Sequence, residues 1–282
     1  MLFPTQLRGE LKKLFARRRT WIGYGVFLAM EAILLFVFKL DRSQQHMRRL
    51  IERNGFAFDD YYSSLTVTYW VMGFSMFLLG SIFFALVSGD IVAKEAEDGN
   101  LRLVLARPVS RLRILLLKYA AVAIYTFSFV IFVGVSGYLM SVAALGWDGG
   151  LFVWNYKMKV FAMFAHWHQG MLRLAFAAVL IGLSMITLSS VGFMFSCFRM
   201  KPAAATIMAL SILFVDLVLQ EFPFFQPYQE WFITWRMAAW VYSLENILPW
   251  AKLVHSYAFL AGLNATLFVV GWLSFQLRDF KT

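Results

Sequence analysis

Six runs of about twenty apolar residues divide this chain, and they constrain its fold more than any other feature. The runs lie at about 21–39, 67–89, 114–143, 172–197, 203–220 and 253–275. A helix needs roughly 20 apolar residues to cross about 30 Å of hydrocarbon, and only helices or closed barrels satisfy their backbone hydrogen bonds there. The composition agrees, since 61% of the 282 residues are hydrophobic and 15% are charged, whereas soluble domains are about 25% charged. We predict an all-α integral membrane protein with six transmembrane helices, over residues 21–282.

Residues 1–20 precede the first apolar run and have a different pattern. The apolar side chains of Phe3, Leu7, Leu11, Leu14 and Phe15 follow helical spacing, and basic residues fill the opposite face. A basic amphipathic helix of this kind lies in the membrane surface. The alternative is a plain orientation signal, but the regularity of the apolar stripe favours an amphipathic interfacial helix at the N-terminus.

The distribution of basic residues predicts the orientation. With six spans both termini lie on one side, and the segments on that side are 1–20, 90–118, 198–202 and 276–282. They hold 16 of the 26 Lys and Arg residues in a small share of the chain. Cytoplasmic loops carry this excess, so we expect both termini in the cytoplasm. The Lys and Arg residues behind the net charge of +10 thus fix the orientation of the protein in the lipid bilayer, and no nucleic-acid partner is expected.

Three segments on the outer side are expected to carry structure of their own. Residues 41–66 contain an amphipathic helical pattern that ends at Asn54-Gly55, and residues 146–171 are rich in aromatic side chains. Residues 221–252 are too aromatic for a solvated loop. We interpret that last segment as one or two helices in the outer leaflet, because backbone at that depth must satisfy its own hydrogen bonds.

Catalytic and cofactor motifs are missing from the sequence. No glycine is followed by lysine, so the phosphate-binding P-loop cannot be formed. If ATP drives this protein, another polypeptide binds the ATP and its magnesium. His166 and His168, with Met163 and Met171 nearby, could hold copper. The pair has no evident third ligand, so two interfacial histidines are the favoured interpretation. We expect neither a cofactor nor enzymatic activity in this chain.

Glu31 is the one ionisable residue near the middle of an apolar run. A charge at that depth is costly and must face protein or a water-filled cavity. Two interpretations stay open: an acid lining a cavity or a subunit interface, or a protonated glutamic acid bonded to a neighbouring helix. Asp216 lies about one turn from the outer end of the fifth run. For this residue we favour snorkelling or local capping.

The charged stretch between the second and third runs, residues 90–118, has the most specific pattern. Gly99 is placed to end a helix, and Ser110 is placed to cap the next one. Between them Leu101, Leu103, Val104 and Leu105 are expected to be exposed, up to the helix-breaking Pro108. Spacing alone allows docking into a groove on a partner or an ordinary hairpin with basic anchors.

This stretch resembles the cytoplasmic loop of ABC type-2 permeases, the membrane subunits of a group of ATP-driven exporters. Members show an acid, a Gly followed by Thr or Ser and Leu, then Pro-hydrophobic-Ser-Arg and a Lys. Asn100 departs from the usual Thr or Ser. The matching positions here are Glu95, Glu97, Gly99, Leu101, Pro108, Val109, Ser110, Arg111 and Lys118.

The resemblance implies the ABC type-2 permease fold, with two permease copies and two separate ATPase subunits in each transporter. Residues 90–113 would be the coupling loop received by the ATPase. Replacing Glu95 or Arg111 is then expected to detach the ATPase and leave folding intact. By the same resemblance the first, second and fifth spans line the cavity, and the outer aromatic segment forms an exit gate. The coupling residues expected on this basis are Glu95, Glu97, Gly99, Asn100, Leu101, Leu105, Pro108, Ser110 and Arg111, and the gate candidates are Trp231, Trp235 and Trp240.

The expected function is export of an amphipathic or lipid-like substrate, driven by the separate ATPase. One alternative is a membrane subunit that transmits ATPase work to a periplasmic partner, for example in metal-centre maturation. The short outer segments disfavour that alternative. A membrane-embedded enzyme is the least supported interpretation, because no catalytic constellation is present.

Overall fold

The computed structural model describes residues 2–101 and 109–278. Six helical segments in these ranges are long and apolar enough to cross a membrane. We number them spans 1 to 6: Thr20–Lys39, Ser64–Glu97, Arg111–Leu145, Trp167–Cys197, Pro202–Leu219 and Trp250–Leu277. The prediction of an all-α, six-span membrane protein is confirmed, and the main difference is that spans 2 and 4 extend several residues beyond the apolar runs.

The helices and strands follow one another in a simple order. The N-terminal half contains α1 (Leu2–Phe15), α2 (Arg18–Lys39), α3 (Asp41–Arg53), α4 (Phe58–Tyr61), α5 (Ser64–Ser75), a π-helical turn (Met76–Gly80), α6 (Ser81–Glu97) and α7 (Arg111–Leu145). The C-terminal half contains β1 (Leu151–Asn155), β2 (Val160–Phe164), α8 (Trp167–Cys197), α9 (Pro202–Leu219), a 3₁₀ helix (Pro223–Trp231), α10 (Ile233–Met237), a second 3₁₀ helix (Ala238–Leu244) and α11 (Trp250–Leu277). Span 2 therefore consists of α5, the π-helical turn and α6.

The two ends of the helix bundle differ in what they carry. We call the end with α1, Glu97 and Arg278 the foot. The opposite end, which carries residues 40–63, 146–166 and 220–249, is the head. Contacts between distant residues define each end. At the foot, Arg278 donates to the carbonyl of Phe198 (3.2 Å). At the head, the backbone N–H of Met163 donates to the side chain of Asn246 (3.4 Å).

Span 4 is the central helix of the bundle. It packs against spans 2, 3, 5 and 6, and 67% of its apolar window is buried inside the chain, against 17–22% for spans 1, 5 and 6. Because those three spans bury so little, most of their apolar surface is left for lipid or for another protein.

Small residues let span 2 approach its neighbours closely. A Cβ on Gly89 would lie 2.8 Å from Oγ1 of Thr206 in span 5, and a Cβ on Gly192 in span 4 would overlap Oγ of Ser88. One turn further, Oγ of Ser196 accepts hydrogen bonds from the backbone N–H groups of Val92 and Ala93, both at 2.9 Å. The foot half of span 2 is thus held tightly between spans 4 and 5.

The head contains one helix that the sequence predicted and one hairpin that it did not. Helix α3 ends at Arg53, and Gly55 takes the positive φ of 86° that the Asn54-Gly55 signal predicted. Strands β1 and β2 form an antiparallel hairpin within residues 146–171. The hydroxyl of Ser63, which also caps span 2, donates to the carbonyl of Gly150 (2.5 Å) and so fixes the hairpin to the start of that span.

The aromatic segment 221–252 forms three short helical pieces where one or two helices were expected. Pro227 lies inside the first piece and has no N–H to donate, which disfavours an α-helix there. Phe232, with extended backbone, separates the first piece from the second. Asp216, for which local capping was one expectation, accepts from the backbone N–H groups of Ile233 (3.0 Å) and Thr234 (2.8 Å) at the start of α10. The cap is therefore on a different helix from the one that carries Asp216, and it ties span 5 to the head.

Candidate functional site

Four charged residues form a cluster at the foot, where α1 meets spans 2 and 3. The ammonium group of Lys118 lies 2.6 Å from Oε2 of Glu95 and 3.0 Å from Oε2 of Glu10. Lys13 lies 2.7 Å from Oε1 of Glu10 and 3.8 Å from Oε1 of Glu95. Lys118 is only 2% exposed, so its charge depends on these two carboxylates for compensation.

The cluster also sets the charge state of α1. Burial alone would raise the pKa of Glu10, but the ammonium groups of Lys118 and Lys13 outweigh it and hold that pKa below its usual value of 4.5. Burial alone would lower the pKa of Lys13, and the carboxylates of Glu10 and Glu95 outweigh it and raise that pKa above 10.5. Both residues are therefore charged over the whole neutral range, and α1 is held to the bundle electrostatically.

Arg111 makes a second connection at the foot, between spans 3 and 6. Its Nη1 donates to the backbone carbonyls of Phe275 (3.2 Å), Gln276 (2.8 Å) and Arg278 (3.2 Å). Carbonyls at a helix C-terminus have no partner within the helix and carry partial negative charge, so a guanidinium group stabilises them. Spans 3 and 6 are thus joined at their foot ends.

A cavity of about 560 Å³ lies at the head side of the bundle, between spans 2, 4 and 5 and the helical pieces after span 5. Its apolar wall includes Met76, Phe77, Leu78, Ile82, Met185, Leu188, Leu210, Leu213, Phe214, Leu217, Trp235, Met237 and Trp240. Its polar lining residues include Asn155, Lys157, Gln220 and Thr234. Lys157 forms an ion pair with Glu221, so its charge is compensated locally.

The π-helical turn Met76–Gly80 contributes part of the cavity wall. Met76, Phe77 and Leu78 all line the cavity, and Phe77 is 55% exposed in this chain. A π-helical turn inserts one extra residue into a helix and is frequently found at functional sites. In this span it separates the head half, α5, from the foot half, α6.

A comparison with protein families identifies the chain. Residues 6–216 match the family described as ABC-2 family transporter protein. The chain belongs to the ABC-2 transporter family. No curated protein matches it significantly.

Membership establishes the chain as a multi-pass membrane permease of an ABC transporter. Membership of this family implies an ABC ATPase as a partner in general. The resemblance drawn from residues 90–118 is therefore confirmed, and the match extends over about three quarters of the sequence.

The predicted coupling residues that the structure describes include exposed residues, buried residues and Arg111, which donates to the end of span 6. Glu97 and Asn100 are exposed, and Gly99 ends α6 with a positive φ of 74°. Ser110 is exposed and caps span 3 by accepting from the backbone N–H of Arg113 (3.3 Å). Leu105 and Pro108 lie outside the described residues.

Glu95 and Leu101, by contrast, are turned into the protein. Glu95 is 8% exposed and paired with Lys118, and Leu101 is 0% exposed. The expectation that Leu101 is exposed was wrong, because its side chain joins the main hydrophobic core instead of facing outward.

The other predicted residues are scattered. Trp235 and Trp240 line the cavity, whereas Trp231 is 73% exposed. Glu31 is 0% exposed and lies against Gly137 of span 3. His166 and His168 are both exposed, and the described residues contain no group of three His, Cys, Asp or Glu side chains that could hold a metal ion.

Sequence reasoning missed Glu10 and Gln220. Glu10 is the only acid in the first thirty residues, and a lone acid on a basic helix could have indicated an ion-pair partner. Gln220 follows span 5 directly, where a polar residue is ordinary. Its place in the cavity wall depends on contacts with residues that are distant in sequence, such as Thr234.

Proposed function

We propose that this permease belongs to an exporter that moves an amphipathic, lipid-like substrate out of the bacterial cytoplasm. The 560 Å³ cavity is the observation that carries the proposal. Ligand sites typically measure about 300–1,000 Å³ and combine apolar walls with a few polar groups. Here the walls are apolar and most of the polar lining residues come from the head, which suits a molecule with an apolar body and a polar end.

The proposal assigns the coupling loop to residues 90–113. The ATPase would contact the exposed residues Glu97, Asn100 and Ser110, on the cytoplasmic side with both termini. The loop joins spans 2 and 3, and Lys118–Glu95 links those spans directly. A displacement of the loop would therefore move span 2, and the π-helical turn of that span lies in the cavity wall.

Two permease copies and two ATPase subunits would form the transporter, in the bacterial inner membrane. The apolar faces of spans 1 and 5 support this arrangement, because 22% and 17% of their apolar windows are buried within one copy. Phe77 and Phe214 line the cavity and are exposed at 55% and 66%. A second copy would face these side chains across the cavity.

Transport by the purified complex tests the proposal. The permease is purified with its ATPase from the native membrane and reconstituted into vesicles with a fluorescent alkyl glucoside, an amphipathic probe with a neutral headgroup. We expect ATP-dependent movement of the probe across the bilayer. Leu217→Trp, which narrows the cavity, should abolish movement, and Val215→Trp is the matched control, because Val215 is exposed and outside the cavity wall.

Two results would contradict the proposal. The first is normal ATP hydrolysis without movement of any amphipathic probe by the unmodified complex, which would favour transmission of work to a periplasmic partner. The second is equal transport by the Leu217→Trp and Val215→Trp variants, which would place the substrate path elsewhere.

A further inference from the structure

The polar end of the cavity contains a buried acceptor without a partner. Gln220 lines the cavity and is 1% exposed. Its side-chain oxygen Oε1 has no hydrogen-bond partner among the described residues. Leaving a buried acceptor unsatisfied is costly, so this position is unfavourable unless something else provides a donor.

The orientation of the Gln220 amide is fixed by two residues behind it. Nε2 of Gln220 donates to Oγ1 of Thr234 (2.6 Å), and the Thr234 hydroxyl donates its one proton to Oδ2 of Asp216 (2.6 Å). If the amide were flipped, Oε1 would face a hydroxyl oxygen whose proton is already used. The flipped amide is therefore unfavourable, and Oε1 remains an acceptor.

The charges around this site limit what can donate to it. Lys157 lies in the same wall, but it is already paired with Glu221, so it leaves no net charge to balance a charged ligand. An anionic group offers acceptors and no proton for Oε1, and the apolar remainder of the wall makes any uncompensated charge costly. The donor that fits is neutral, such as a hydroxyl or an amide N–H.

We infer that the cavity recognises an amphipathic molecule with a neutral hydrogen-bond-donating headgroup, and that Oε1 of Gln220 accepts the hydrogen bond from that headgroup. Thr234 is a positioning residue, because it acts through the orientation of the Gln220 amide. The inference rests on the proposed function and deepens it, since the same cavity is involved.

The test uses two photoactivatable probes with the same acyl chain, one with hydroxyl groups and one with methoxy groups in their place. One is a monoacylglycerol with a diazirine in the acyl chain, and the other is its 2,3-dimethyl ether, which keeps the oxygens and lacks the hydroxyl protons. Both are titrated against the full-length permease in lipid nanodiscs, and the labelled peptides are mapped by mass spectrometry. We expect labelling of residues 76–82 and 210–217, with half-saturation about fivefold lower for the monoacylglycerol, as one neutral hydrogen bond predicts.

Three variants show which residue causes the preference for the monoacylglycerol. Gln220→Met keeps the side-chain length and removes the acceptor, so the two probes should label it equally. Thr234→Val should reduce the preference by releasing the amide. Gln226→Met, on the exposed surface of the neighbouring 3₁₀ helix, should keep the fivefold preference of the unmodified chain. The melting temperature of each variant shows whether it is folded, and the comparison of probes on the unmodified chain needs no variant.

The outcomes separate this inference from the proposed function. Equal labelling of the cavity by both probes in the unmodified chain would overturn donor recognition and leave an amphipath site in place. Absence of cavity labelling by either probe, as expected if a second copy of the chain fills the cavity, would overturn both.

Discussion

Lys118 and Glu95 form a buried ion pair with a separation of 2.6 Å, and they lie on opposite sides of the loop that joins spans 2 and 3. The same ammonium group reaches Glu10 of α1 at 3.0 Å. One lysine thus holds together three helices at the end of the bundle where the ATPase is proposed to bind. This arrangement gives the foot of the permease a rigid base for the exposed residues of the loop.

Replacing Lys118 by methionine should destabilise the permease strongly. Methionine fills the space, but Glu95 and Glu10 lose their buried counter-charge, and breaking such a pair costs about 3–5 kcal/mol. We expect a large fall in the melting temperature of the detergent-solubilised protein. Lys94→Met is the control, because Lys94 pairs with Glu97 and Asp98 on the exposed surface, where ion pairs contribute little. Equal melting temperatures for the two variants would contradict the structural role of Lys118.

The contribution of Glu10 should depend on pH in a defined direction. Its pKa is lowered in the folded protein, so its carboxylate stabilises the fold above the usual pKa of 4.5, and this stabilisation is lost as the pH falls through the lowered pKa. We expect Glu10→Gln to melt at a lower temperature than the unmodified protein at pH 7. The difference should disappear at acidic pH. A difference that grew on acidification would refute this account.

The spans were predictable because about twenty consecutive apolar residues have few alternatives to a membrane helix. Helix α3 was predictable from its periodicity and from the Asn54-Gly55 ending. The β1–β2 hairpin was not, since its strands have five residues each and aromatic side chains in both, without a clean alternation. Its position depends on the contact between Ser63 and Gly150, which only the folded chain creates.

The candidate site likewise has a part that the sequence predicts and a part that only tertiary contacts determine. Residues 90–118 identified the family because the pattern is local, but the pattern did not reveal that Glu95 points inward. The reason is that its partner, Lys118, lies 23 positions away on the next span. Gln220 could not be predicted as a ligand-reading residue, because Thr234 and Asp216 orient it through tertiary contacts.

The burial of Glu95 changes the expectation for coupling variants. Glu95→Gln should lower the melting temperature, because the amide cannot neutralise Lys118, and any loss of ATPase would follow from that instability. Glu97→Ala should leave the melting temperature unchanged and weaken binding of the ATPase, since Glu97 is exposed beside the loop. Co-purification of the ATPase and thermal melting distinguish the two effects. Undiminished ATPase recovery with Glu97→Ala would remove Glu97 from the proposed interface.

Gly192 should tolerate no side chain. A Cβ there would overlap Oγ of Ser88 and lie 3.3 Å from the carbonyl oxygen of Ala85, so Gly192→Ala should cost about 1–3 kcal/mol by overpacking. Adding Ser88→Ala should recover part of the loss. Gly262→Ala in span 6 is the matched control, because its Cβ would meet nothing within 4 Å. A melting temperature for Gly192→Ala equal to that of the control would show that spans 2 and 4 can separate freely.

Replacing Glu31 by methionine should stabilise the permease and preserve transport. Neither carboxyl oxygen of Glu31 has a hydrogen-bond partner among the described residues, and the hydroxyl of Ser136 donates to the carbonyl of Phe132 (2.8 Å). Methionine keeps the volume and removes an unsatisfied polar group, which is worth about 1–3 kcal/mol. Glu31→Ala is the comparison, since it removes the same group but leaves a void between the spans, and its melting temperature should not rise. Loss of transport by Glu31→Met with unchanged melting would instead assign the carboxyl a part in the transport cycle.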